Sequence, residues 1–138
     1  MPRSPHRQDD RRPRDRGAAA VEFALVLPLL LLVVCGIVDF GRAYNAQVTL
    51  TQAARAGARL VALGQPNVVS RTQGAAAPLT GVGVGITSCP SGATTDAVVV
   101  TTYTFAFVTP VGVLAGLFGP AFGGTRAMTG RGVMRCQG

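Results

Sequence analysis

From residue 17 to residue 38 the chain reads Gly-Ala-Ala-Ala-Val-Glu-Phe-Ala-Leu-Val-Leu-Pro-Leu-Leu-Leu-Leu-Val-Val-Cys-Gly-Ile-Val. This is an apolar run broken by one carboxylate, Glu22. As a helix, residues 18–38 rise roughly 30 Å at 1.5 Å per residue, enough to cross the hydrocarbon core of a bilayer. Lipid disfavours ionisable groups, so an acid in such a span asks for a reason. Pro28 removes the hydrogen bond to the Ala24 carbonyl, which predicts a kink. Neighbouring subunits satisfy such a defect better than lipid does.

The residues ahead of the span are of the opposite character. Six of the thirteen arginines (Arg3, Arg7, Arg11, Arg12, Arg14 and Arg16) fall in the first sixteen positions, with Asp9, Asp10 and Asp15 among them. Prolines stand at 2, 5 and 13, and nothing apolar is available to bury, so residues 1–17 are expected to be a disordered leader or tail. Basic residues beside an apolar span stay on the cytoplasmic side, which orients the chain N-terminus in. A net charge of +7 and a pI near 11 raise nucleic-acid binding. The tail has no aromatic residue to stack on a base, however, and that argues against it. The complete absence of lysine fits a GC-rich genome better than a ligand.

Processing signals narrow the reading. A secretory cut after Ala46 would put the large Tyr44 where a small residue is needed. A lipoprotein cut at Cys35 would follow the bulky Val34. Arg11-Arg12 is followed by Pro13 and more charge, unlike a twin-arginine signal. None of these three signals fits the chain.

The string from Gly17 to Pro28 resembles the N-terminus of type IV pilin-like proteins, most closely the TadE-like family of Tad pilus minor pilins. Ala-Ala-Arg-Ala-Gly-Ala-Arg at 53–59 is similar to that family too, and residues 103–110 and 127–136 resemble it weakly. The chain departs from type IVa pilins, whose mature form begins with phenylalanine. The resemblance implies insertion with the N-terminus inside, cleavage between Gly17 and Ala18 by a prepilin peptidase, and a role in assembling a thin adhesive pilus. It also implies that Glu22 sets subunit registration. The amine of Ala18 on one subunit and the carboxylate of Glu22 on its neighbour would neutralise each other, where an unpaired charge costs on the order of 2.5–3.5 kcal/mol. Taken alone, Glu22 could equally reach back to the interface or favour the helix N-terminus.

Past the span, Asp39 and Arg42 mark the exit, and Phe40 and Tyr44 suit the interface. Residues 41–64 read as an amphipathic helix, with Ala43, Ala46, Leu50, Ala53, Ala54, Gly57 and Val61 at three- and four-residue spacing. Arg55 and Arg59 form a like-charged pair for a solvent-facing stripe. Gly64 followed by Pro66 is a stop. Residues 65–80 read as a loop. Val82, Val84 and Ile86 alternate with glycine. Residues 97–108 set Tyr103, Phe105 and Phe107 against Thr102 and Thr104, and residues 125–136 set Met128, Met134 and Cys136 against Arg131 and Arg135. Residues 111–118 are too short and too broken by glycine to assign beyond a loop or one helical turn.

The expected fold class is therefore α+β. One long N-terminal helix, transmembrane over 18–40 and amphipathic over 41–64, precedes a small antiparallel β unit over 65–138. A unit of that size needs a staple, and Cys89 with Cys136 can supply it outside the cytoplasm, where disulfides persist. Closing that loop is worth about 4 kcal/mol on the chain-entropy account. Cys35 is left as a small hydrophobe in the span.

No catalytic constellation is expected. His6, the sole histidine, lies in the tail, so no Ser-His-Asp or Cys-His site can form. The three cysteines lack metal-ligand spacing. The Gly81-Val-Gly-Val-Gly85 run lacks the helix and lysine of a phosphate loop. The chain thus reads as a non-enzyme without cofactor, metal or small-molecule substrate. Its expected partners are the cytoplasmic (inner) membrane, the prepilin peptidase, the other Tad pilus subunits and their assembly platform. Two alternatives stay open. One is an uncleaved single-pass protein with an extracytoplasmic binding module, and the other is a pseudopilin of a secretion or DNA-uptake machine.

Overall fold

The computed structural model describes the backbone of residues 12–90, 95–109 and 124–136, with side chains from Gly17 onward. Expectations for residues 1–11 and 111–118 lie outside the described residues. The elements are α1 (Arg12–Ala62), α2 (Val68–Ala75), β1 (Gly83–Thr87), β2 (Asp96–Ala106) and β3 (Thr125–Arg135). The long helix followed by a three-stranded antiparallel sheet is the expected α+β arrangement.

Helix α1 runs unbroken through Pro28. It begins upstream of the span, so the expected disordered tail is corrected for residues 12–17, whose backbone is already helical. Pro13 is tolerated there because N–H groups in a first turn have no helical partner to lose. The far end stops where expected. Gly64 takes the left-handed conformation at φ 62°. The Gln65 N–H donates to the Leu60 carbonyl at 2.9 Å and the Gly64 N–H to Val61 at 3.0 Å. This Schellman closure satisfies the last helical carbonyls.

The second helix is a correction. Residues 65–80 were expected as loop, yet Val68–Ala75 is helical. Its entry residue Asn67 is left-handed, at φ 58°, a conformation asparagine tolerates. Packing holds it: Thr72 is fully buried, with its side chain over Gly57 of α1. Gln73 ties it forward, donating from Nε2 to the Val82 carbonyl at 3.0 Å.

The sheet has the order β1-β2-β3. Its register sets Val84 opposite Thr101 and Ile86 opposite Val99, with Gly130 beside Thr101 and Gly132 beside Val99. Alternation then places Ala97, Val99, Thr101 and Phe105 on the face against α1 and Thr102 and Thr104 outside, in agreement with their burial. The core is thin, gathering Leu50, Ala53, Ala76 and Val82 with Leu79, Val84, Tyr103 and Met128 packed around them.

What seats the helix is glycine. A Cβ on Gly132 would lie 2.2 Å from the Ala54 carbonyl oxygen, and one on Gly130 would lie 2.5 Å from the Leu50 carbonyl carbon. Helix backbone rests directly on strand backbone, an approach open only to residues without side chains. Thr101 Oγ1 donates to the Leu50 carbonyl at 3.0 Å, and Gln47 Nε2 donates to the Thr129 carbonyl at 2.8 Å. Strand β2 runs down α1 toward the span, and β3 runs back up beside it. At the far end, Cys89 and Cys136 form a disulfide with their Cα atoms 5.8 Å apart.

Candidate assembly site and membrane span

Among the described residues, one helix is long and apolar enough to cross a membrane. Val21, Phe23, Leu25, Leu29, Leu31 and Ile37 are all exposed along it. Among the described residues nothing covers this surface, because the sheet packs on α1 from Asp39 onward.

Gly17 and Ala18 lie on the exposed helix surface at the start of the span. No atom comes within 4 Å of where a Gly17 Cβ would stand. Glu22 follows about 6 Å further along the axis from Ala18, and it is exposed. The described structure provides no cationic side chain beside it. Gly17, Ala18 and Glu22 therefore share one short stretch of helix, well separated from the Cys89–Cys136 disulfide.

Sequence reasoning passed over the part Asp39 plays. Read as an exit marker, this residue is only 2% exposed and organises the near end of the sheet. Its carboxylate accepts the Val108 N–H on Oδ1 and the Thr109 N–H on Oδ2, both at 3.3 Å. The Thr109 hydroxyl also donates to Oδ2. Arg42, one turn on, approaches Oδ1 at 3.5 Å. The guanidinium of Arg42 lies over the Phe105 ring, 5.4 Å from its centroid, and Phe105 meets Phe107 edge-to-face at 5.4 Å. The signal available in sequence was a carboxylate directly after the apolar run with an arginine three residues later. Its partners stand some seventy positions downstream, and local spacing carries no trace of them.

The family model of TadE-like proteins matches residues 17–59. This segment is TadE-like. The match opens on Gly17, takes in Ala18, Glu22, Pro28, Asp39 and the 53–59 string, and ends within α1 short of the sheet. Comparison with curated proteins and with solved structures returned no match. The TadE-like segment thus coincides with the membrane-length part of α1 and the turns that receive the sheet.

Proposed function

We propose that this chain is a TadE-like minor pilin or pseudopilin, cut between Gly17 and Ala18 by a prepilin peptidase and used in assembling a Tad adhesive pilus. The observation that carries the proposal is the extent of the family match, which starts at the glycine of the cut and includes the glutamate five residues on. The exposed apolar stem supports it, since such a surface has to be covered by lipid or by neighbouring stems.

On this reading the chain performs no catalysis. The new amine at Ala18 pairs with Glu22 of an adjacent subunit in low dielectric, where only one axial stagger brings the two charges together. Before assembly the stem is held in the inner membrane, with the sheet on the extracytoplasmic side and its disulfide in an oxidising compartment. The partners are the peptidase, other pilus subunits and the assembly platform.

The test is intact mass and N-terminal sequencing of membrane-extracted protein from cells with and without the peptidase. A peptidase-dependent start at Ala18 is expected. A full-length chain in both strains would overturn the proposal and favour a membrane-anchored binding module. That second reading draws on the helix itself, which continues unbroken through Gly17 from Arg12.

A further inference from the structure

We propose that the end of the sheet held by Asp39 rests on the outer surface of the bilayer, making Val108 and the close of β2 a second membrane contact beside the stem. The inference rests on α1 spanning the membrane and is independent of any cut at Gly17.

Asp39 directly follows the continuous apolar run that ends at Val38, so its carboxylate lies at the level where hydrocarbon gives way to headgroups. The Val108 and Thr109 amides are bonded to that carboxylate at 3.3 Å, which places the end of β2 at the same height. Phe40 is 74% exposed, Val108 73% and Tyr44 66%. The two aromatic rings thus lie on one flank of α1 about 6 Å apart along its axis, with Val108 on the sheet side, and all three are exposed within about 8 Å of the level of Asp39. Apolar and aromatic side chains of this kind partition to the membrane–water interface. Arg42, whose guanidinium lies over Phe105, keeps its side chain about half exposed in the same collar. A planar guanidinium there suits bidentate contact with a lipid phosphate. By sequence alone, residues 110–123, which join the ends of β2 and β3, include no charged or hydrogen-bonding side chain. They add nothing that would repel the sheet from lipid.

The chain has no tryptophan, so single substitutions give clean fluorescent probes. The full-length protein would be reconstituted in vesicles of phosphatidylcholine and phosphatidylglycerol, with and without brominated acyl chains. Val108→Trp is compared with Leu31→Trp in mid-span and with Val133→Trp, an exposed β3 position far from Asp39. Val108→Trp should be quenched by brominated lipid roughly threefold more than Val133→Trp, with blue-shifted emission, as expected at headgroup depth. Strong quenching of Leu31→Trp with Val108→Trp matching Val133→Trp would sink the proposal while leaving the span intact. Absence of quenching at Leu31→Trp would remove the span and the second contact together. Adding Asp39→Ala should lower quenching at Val108→Trp toward the Val133→Trp level. Unchanged quenching would overturn Asp39 as the tie.

Discussion

At the scale of single residues, the helix–sheet contact depends on side chains that are missing. Gly132 faces the Ala54 carbonyl and Gly130 the Leu50 carbonyl, both main-chain atoms that cannot rotate aside. Gly132→Ala is expected to lift α1 off β3 and cost about 3 kcal/mol, the upper end for overpacking, read as a lower denaturation midpoint in detergent. Gly85→Ala is the control, since its Cβ would only touch the Val100 carbonyl at 3.8 Å. Thr72 presents the opposite case. Its buried Oγ1 has no hydrogen-bond partner among the described residues, and leaving such a hydroxyl unmatched costs about 1–3 kcal/mol. Thr72→Val, of the same shape, should therefore raise the midpoint. A lower midpoint would mean that the hydroxyl has a partner the geometry conceals.

Among the elements, the helix and all three strands were legible because each has an unambiguous period. The apolar run and the three- and four-residue spacing of Ala46, Leu50 and Ala53 define α1. Alternation through Val99, Thr101 and Phe105 defines β2. Helix α2 was missed because Val68–Ala75 has no marked apolar stripe of its own and closes against Gly57 of a distant turn. Gly130 and Gly132 were legible only as positions in an alternating strand. Their importance lies in what approaches them, which no local pattern records. The Asp39 tie was hidden for the same reason. The disulfide could be anticipated because only two cysteines lie beyond the span. Its loop, with a sequence separation of 47, is worth about 4 kcal/mol on the chain-entropy account. Cys136→Ser should lose an amount of that order in denaturant titrations, and reduction of the wild-type protein should match it.

For the whole molecule, the decisive charge is the one on the stem. Glu22→Ala should insert and fold normally, because no packing contact of the sheet involves that residue. It should nevertheless enter pili poorly. Leaving the Ala18 amine of a neighbour unpaired at about 2.5–3.5 kcal/mol corresponds to a loss of incorporation on the order of a hundredfold. The check is the ratio of subunit in sheared fibres to subunit in membranes. Equal ratios for variant and wild type would refute the registration role. Glu22→Asp, which keeps the charge on a shorter side chain, should fall between them.

The backbone-on-backbone seat of α1 has a mechanical corollary. With no cushion of side chains at Gly130 and Gly132, and with the Thr101 and Gln47 hydrogen bonds gripping main-chain carbonyls, the helix can neither roll nor slide against the sheet. Stem and head turn as one lever. From Glu22 to Leu50, which faces the sheet, α1 winds nearly eight turns at about 3.6 residues each, and the kink expected at Pro28 lies between the two. A neighbour that docks on that carboxylate is set against the head through this one helix, and whatever angle the stems adopt in a fibre is the angle at which the heads are displayed.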